Sequence, residues 1–493
     1  MGKSTEDFRP LRPGIGSPTS TTPLLAGGHW EDDAEMIRRV NWKLDLGLLP
    51  LLSLLYLFNG LDRGNIGNAQ TQGFTDDVGA LPEDLNLAVS LFFVAFVVFQ
   101  PLSGAVGWWL GPRNWMPIMM VSWGVVTIAH AFIWGRAALL TTRLLIGALE
   151  AGFYPTAVTY LASFYPPFDL AVRIGLFFGQ YAIASAFSGA LSYSIFLIPH
   201  AGLKSWQLLF IIEGAVTCCL ALVAWIWLPA GPGTAWFLTK QERAFAEHRV
   251  RIGCADQAGV ASLTRRDVQE TAKDWKLWFA LVFNICASVP ASAFAVFLPL
   301  VVQGMGYQAI EANLMSVPPA ACGAAGLYLF ALSSDRRRER GYHITVAIII
   351  TLTGLIALVT APTNTTRYAA LCVLLVGSYV PAPLTVAWLS GNTPSPGKRA
   401  LVLGVNGWGN LAGVIGSQLY RPEYAPGYRV PFFVTLGFVA AALAGVLAYR
   451  STLQAVNRQR AAIVQSKSAE EIDFEKSGDA RYADRKWTFV YGL

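Results

Sequence analysis

The chain has 493 residues, of which 54% are hydrophobic and 14% charged, with a mean hydropathy of +0.44 and a formal net charge of +6. Soluble domains carry roughly 25% charged residues, so this composition excludes a disordered chain and a soluble multidomain enzyme and points to a polytopic membrane protein. The six cysteines form no CxxC pair, which implies neither a disulfide framework nor a zinc site, and the basic residues lie in short connectors instead of a nucleic-acid-binding cluster.

Residues 1–41 are rich in Gly, Pro, Ser and Thr and hold no apolar run, which predicts a disordered tail and no secretory signal peptide. Gly2 follows Met1, but Glu6 stands where N-myristoylation needs Ser or Thr. A transmembrane helix needs roughly 20 apolar residues, and twelve segments reach that length. The first six run from Leu44 to Ile66, Leu85 to Leu110, Trp115 to Trp134, Leu139 to Tyr165, Ile174 to Ile198 and Trp206 to Leu228. The second six run from Trp278 to Val302, Ala312 to Leu332, Ile344 to Ala361, Tyr368 to Ser390, Leu401 to Tyr420 and Val430 to Tyr449. The pattern predicts an all-α membrane protein with twelve transmembrane helices in two pseudo-symmetric six-helix bundles, at 42–228 and 275–450. A polar loop at 229–274 separates the bundles, and a tail at 451–493 follows the second.

Basic residues are retained on the cytoplasmic side of a membrane. With both termini inside, 30 of the 37 Lys and Arg fall on that side, six fall outside (Arg63, Arg136, Lys204, Arg367, Arg421, Arg429) and Arg143 lies within a span. Both termini, the central loop and the C-terminal tail are therefore expected in the cytoplasm, with the plasma membrane as the expected location.

The two groups of six spans carry a weak internal repeat. Trp42-Lys43-Leu44 opens span 1 and Trp275-Lys276-Leu277 opens span 7, at an offset of 233. Arg173 precedes a glycine-bearing span 5 and Arg399 a glycine-bearing span 11, at an offset of 226. Gly175/Gly179 and Gly409/Gly413 are spaced four apart, the spacing that lets helix backbones approach. Duplicated six-helix units are the sequence sign of secondary transporters, whose halves move about a site near the bilayer midplane.

Three segments carry a resemblance to a known family. They are Leu61-Asp62-Arg63-Gly64-Asn65-Ile66-Gly67-Asn68-Ala69 after span 1, Arg143-Leu144-Leu145-Ile146-Gly147 with Glu150-Ala151-Gly152-Phe153-Tyr154-Pro155 in span 4, and Arg173-Ile174-Gly175 opening span 5. Over about Trp42 to Tyr449 the chain resembles a major facilitator superfamily transporter, in particular the fungal allantoate, nicotinate and pantothenate permease branch of the anion:cation symporter family. The loop between spans 2 and 3 departs from the superfamily pattern: Gly107-Trp108-Trp109-Leu110-Gly111-Pro112-Arg113 has no acidic residue, whereas Ser334-Asp335-Arg336-Arg337-Arg338 keeps a closer echo.

Ionisable side chains at the bilayer centre cost at least about 2.5 kcal/mol on insertion scales and are functional candidates by default. Arg143 and Glu150 lie two turns apart on one face of span 4, too far along the axis to neutralise each other directly. Asp62 and Arg63 are adjacent, so they point about 100° apart. The resemblance implies proton coupling and anion binding by these four residues. A carboxylate exchanges protons and a guanidinium does not, which makes Asp62 and Glu150 the expected proton carriers. A guanidinium matches a carboxylate with a two-pronged hydrogen bond, which makes Arg63 and Arg143 the expected anion ligands. Tyr181, Asn406 and Asn410 are further candidates to face the substrate, followed by Gln180, Asn284 and Trp388. Glu213 is expected to make a buried structural hydrogen bond, and His130 to have a structural role.

These residues predict proton-driven transport of a small organic anion by a monomer in the lipid bilayer, with no cofactor, metal or nucleic-acid partner. An exporter of metabolites and a nutrient receptor without flux are the alternatives, and an integral membrane enzyme is disfavoured because no catalytic cluster lies at membrane depth. The topology makes a direct prediction. A reporter inserted at Thr363 to Thr366 is expected outside and one fused after Leu493 inside; a cytoplasmic signal from the first position would reject this orientation.

Overall fold

The computed structural model describes residues 34–493 apart from 166, 200–201, 259–263 and 478–479; residues 1–33, most of the expected N-terminal tail, lie outside the described residues. Helix α1 (Ala34–Gln70) is span 1, and α2 (Phe74–Val78) is a short turn beyond it. Spans 2 and 3 are α3 (Pro82–Leu110) and α4 (Pro112–His130). Span 4 is divided into α5 (Gly135–Glu150) and α6 (Phe153–Ala162), and α7 (Pro167–Phe196) and α8 (Ser205–Trp227) complete the first half. The central segment contains α9 (Lys240–Ala258) and α10 (Arg265–Ala272).

In the second half, α11 (Trp275–Gln303) is span 7, α12 (Ala309–Met315) with α13 (Val317–Arg337) is span 8, and α14 (Gly341–Thr360) is span 9. Span 10 is divided into α15 (Asn364–Ser378) and α16 (Pro381–Gly391). Span 11 passes through α17 (Pro396–Asn406), a 3-10 turn at Gly407–Asn410 and α18 (Leu411–Leu419). Span 12 is α19 (Arg429–Ser466), followed by α20 (Ala469–Ser477). Among the described residues ten helices are long and apolar enough to cross a membrane. The remaining two of the twelve crossings are α4, of 19 residues, and the interrupted span 11.

Proline places the two matching breaks. Pro155 and Pro381 have no N–H, so the carbonyls of Ala151 and Gly377, four residues earlier, lose their helical donors. Spans 4 and 10 break there, and their last residues before the break, Glu150 and Ser378, stand 228 positions apart, between the two repeat offsets. The duplication is therefore visible in backbone irregularities as well as in sequence.

The halves meet most closely on the face opposite the start of α1. Asn86 Nδ2 on α3 donates to the carbonyls of Ser417 (2.5 Å) and Tyr420 (3.0 Å), and Ser90 Oγ lies 2.7 Å from Ser417 Oγ. Gln418 Nε2 donates to Ser90 Oγ at 2.6 Å, and Asn313 Nδ2 on α12 donates to Thr71 Oγ1 at 2.9 Å. At Gly67 a Cβ would sit 1.7 Å from Val296 O, so only glycine allows α1 to lie this close to α11. This face is closed.

On the near face, ion pairs fasten connecting segments to one half at a time. Lys43 on α1 donates to both oxygens of Glu242 on α9 (2.7 and 2.9 Å), and Arg249 on α9 pairs with Asp169 on α7 (2.9 Å). Arg173 grips Asp45 with two nitrogens, each at 2.8 Å. The repeat counterpart of Lys43 is Lys276, which pairs with Asp484 (3.1 Å) and Asp274 (3.3 Å); Lys398 at the start of α17 completes a square with the same acids, at 2.7 and 2.8 Å. The segment after α19 thus caps the second half as α9 caps the first. Tyr482 reaches Asp267 on α10 (2.7 Å), and Gly492 O accepts from Trp388 Nε1 (2.7 Å) and Asn392 Nδ2 (3.0 Å). Trp388, expected to face the cavity, is instead committed to this cap, stacked edge-on against Tyr449.

All four members of the square are at least nine-tenths buried. Burial opposes the charge of Asp484, but Lys276 and Lys398 outweigh it and hold the carboxyl below the usual carboxylate range. Removing one partner of a buried ionic group leaves an uncompensated charge, at roughly 3–5 kcal/mol. Asp484→Asn is therefore expected to lose about 3 kcal/mol of stability near neutral pH. Because the folded carboxyl titrates below its unfolded value, this contribution is present above the ordinary carboxylate range and is lost as pH falls through the folded pKa. Thermal unfolding in detergent at several pH values checks both points; identical melting of wild type and variant at pH 7 would remove the square as a stabilising element.

Candidate translocation site

Asp62 and Arg63 diverge from α1 as the helical rotation dictates. Asp62 turns into the first half, where its Oδ2 accepts from Trp123 Nε1 on α4 at 3.0 Å while Oδ1 has no hydrogen-bond partner. Arg63 turns toward α3, α5 and α7. Its Nε donates to Glu150 Oε2 at 3.4 Å and its Nη2 to Asn59 Oδ1 at 3.4 Å. Both distances exceed the 2.7–2.9 Å usual for charge-assisted bonds, so the contacts are loose. The guanidinium carbon stacks 4.5 Å from the Phe96 ring centroid, 5.5 Å from Tyr181 and 5.8 Å from Phe92.

Glu150 is the last residue of α5, fully buried, with Oε1 unpartnered. The break that follows it is held by close approach: a Cβ at Gly152 would lie 1.7 Å from Ser103 Oγ, and one at Gly147 would lie 2.3 Å from Phe92 O. Small residues on α5 therefore press its acidic end against α3.

Arg143 lies two turns earlier, its guanidinium carbon 5.5 Å from the Phe210 ring centroid and its Nη2 3.4 Å from His130 Nε2. Thr142 Oγ1 donates to Ala138 O at 2.8 Å, so it accepts from His130 Nδ1, 2.7 Å away. That leaves Nε2 as the acceptor for Arg143. His130 is thus a neutral imidazole that positions Arg143, a link that its isolated place in the sequence does not reveal. A narrow cavity is lined by Arg63, Arg143, Ile66, Val89, Phe92, Phe93 and Val296.

The other expected residues are distributed more widely. Tyr181 stands beside Arg63. Asn410 spends its Nδ2 on Gly407 O (2.9 Å) inside the 3-10 turn of span 11, and Asn406 is buried with Oδ1 unpartnered. Asn284 lies against Gly409 in the same turn. None of these three asparagines lines the arginine cavity. Gln180 folds back on Leu176 O at 3.3 Å. Glu213 departs from its expected role: it is fully buried, but neither carboxylate oxygen has a hydrogen-bond partner. It lies beside Gly214, which packs on Gly124 next to the Asp62 partner Trp123, and three residues after Phe210, which Arg143 faces, so it adjoins the same charged group.

Two guanidiniums thus line one cavity, with three buried carboxyls on the same six-helix half. Known proteins share the architecture. The chain is 34% identical over 433 residues to the MFS-type transporter efuF of Hormonema carpetanum, covering 87% of this chain and 88% of that one. It is 30% identical over 404 residues to the high-affinity nicotinic acid transporter of Saccharomyces cerevisiae, covering 82% and 75%. In three dimensions it resembles the partially occluded inward open form of the xylose transporter XylE from E. coli, with a TM-score of 0.63 at 14% identity over 81% of this chain and 96% of that one. A family model described as Major Facilitator Superfamily matches residues 52–417. With its two six-helix halves, its closed far face and these relatives, the chain belongs to the Major Facilitator Superfamily of membrane transporters.

Proposed function

We propose that this protein is a proton-driven symporter of a small organic anion, working by alternating access with both termini in the cytoplasm. The observation that supports this reading best is the loose Arg63–Glu150 pair beside a cavity that Arg143 also lines. While Glu150 is ionised it competes with an incoming carboxylate for Arg63. A proton on Glu150 removes that competitor and frees Arg63 for the substrate, so proton and anion each favour the binding of the other, a reciprocal coupling typically worth about 1–3 kcal/mol. Asp62, tied to Trp123, is the second proton carrier and sits within the field of Arg143. With the far face closed by Asn86, Ser90, Ser417 and Gln418, this conformation exchanges its contents with the near, cytoplasmic side. The yeast relative's cargo, nicotinic acid, is itself a carboxylic acid.

Glu150→Gln and Asp62→Asn keep shape and remove the titratable proton. Both are expected to lose accumulation driven by a pH gradient while retaining measurable exchange of preloaded substrate, and anion binding to Glu150→Gln should depend on pH less than in wild type. Radiolabelled uptake into proteoliposomes across a panel of carboxylates at two pH values tests this, and undiminished pH-driven accumulation in both variants would exclude these acids.

The charge sign of the cargo follows from the arginines. Bringing a cation to about 4 Å from one guanidinium costs roughly 4 kcal/mol at an effective dielectric of 20. An acid is therefore expected to bind far more tightly than its neutral amide. Arg143→Lys keeps the charge but loses the planar fork and the bond to His130, and should weaken acid binding about tenfold, or about 1.4 kcal/mol. Equal binding of acid and amide to wild type, with no weakening in Arg143→Lys or Arg63→Lys, would overturn the anion site.

A further inference from the structure

Asp84 aside, which is paired with Arg136 at 2.8 Å, the charges buried in the first half do not balance. Asp62, Glu150 and Glu213 supply three carboxyls and Arg63 and Arg143 two guanidiniums, all more than nine-tenths buried. Fully ionised, the group carries one uncompensated negative charge in a region where an unpaired charge is expensive. One proton among the three acids restores neutrality.

Hydrogen bonding distinguishes the acids. Asp62 accepts from the Trp123 indole and Glu150 from the Arg63 guanidinium, both donors that favour an ionised carboxylate. Glu213 has no donor at either oxygen. Thr217, one turn along on the same face of α8, is also buried with an unpartnered oxygen, so neither a charged group nor an N–H meets the Glu213 carboxyl, a setting that costs a carboxylate far more than a neutral acid. The helices are pressed together here, since a Cβ at Gly214 would lie 2.7 Å from Gly124 O. The titratable groups around Glu213 are Asp62 from α1, Arg143 from α5, Cys218 on its own helix, and His130 from α4, whose ring centroid is 4.7 Å from that of Phe210.

We propose that Glu213 is a third proton-binding residue of the transport machinery, carrying the proton that neutralises the five-residue charged group while the group is shut off from water and releasing it to water when the cavity opens to the cytoplasmic side. Release breaks one carboxyl O–H bond, the proton passes to water, and the carboxylate left behind lies in the field of Arg143. The exchange part of this proposal rests on the proton-coupled reading above; the protonation of Glu213 does not.

Infrared spectroscopy of the purified full-length protein in detergent at neutral pH tests the protonation without any substrate. The carbonyl stretch of a protonated carboxylic acid should be present in wild type, lost in Glu213→Gln, shifted in frequency in Glu213→Asp, and unmoved in Asp62→Glu and Glu150→Asp, exchanges that keep the charge count. A band that is absent from wild type, that persists in Glu213→Gln, that is unmoved in Glu213→Asp, or that shifts in Asp62→Glu or Glu150→Asp overturns the assignment, and the last criterion holds even if the Glu213 variants fail to fold. In proteoliposomes, Glu213→Gln should lower pH-driven accumulation at least about tenfold. Wild-type accumulation in Glu213→Gln, with the band lost, would reject proton release and leave a static proton. Absence of pH-driven accumulation in wild type itself, with the band present, would remove the symport reading and leave Glu213 protonated.

Discussion

A charge in hydrocarbon must find a partner or a proton, and the first six-helix half is organised around that requirement. Arg63 is held by Glu150, Asn59 and three aromatic rings; Arg143 is held by His130 and Phe210; Asp62 is held by Trp123. The partners come from different helices, so the charges also fix how α1, α3, α4, α5 and α8 pack. Trp123 and His130, both on α4, act at two depths of the same group. Gly147 and Gly152 bring the end of α5 against α3, which is what places Glu150 within reach of Arg63.

The pseudo-twofold repeat relates this half, with charges inside its spans, to one whose charges sit at the span ends. Spans 4 and 10 break at matching points, but Glu150 precedes the first break and Ser378 the second. Ser378 bonds its own helix, donating to Leu374 O at 2.8 Å, and the next residue, Tyr379, reaches across to Ser185 Oγ at 3.0 Å. Duplication kept the backbone device and only one copy kept the ionisable chemistry. The second half offers neutral amides at Asn284 and Asn406 near the 3-10 turn of span 11, groups that can hydrogen-bond a cargo without adding charge.

The depth and residue types of the site were legible in the sequence, because apolar runs locate the membrane and charges inside them stand out. The four candidates Asp62, Arg63, Arg143 and Glu150 are singled out in this way. Their partners are not: Trp123 is 61 positions from Asp62, and Glu150 is 87 from Arg63, with no local pattern to connect them. Tryptophan favours membrane interfaces, which concealed Trp123 in the core, while Trp388, expected at the cavity, lies in the cap. Glu213 carried the opposite error, since a lone buried acid implies a hydrogen bond and here none is made. The cap formed by residues 480–493 was hidden because its polar composition resembles an exposed tail, and only the square of Lys276, Lys398, Asp274 and Asp484 shows what its acidic residue is for.

The far-face seal is built from amides, hydroxyls and carbonyls, while the ion pairs of the near face each stay within one half or its own connecting segment. Parting the halves at the seal therefore separates no opposite charges, and water replaces each lost hydrogen bond nearly in kind. The rocking step is electrically silent in its walls. Any sensitivity of the cycle to membrane voltage enters through what the cavity carries, at about 2.3 kcal/mol per elementary charge per 100 mV, so under the proposed symport a cavity holding one monovalent anion and one proton adds no net charge to the step.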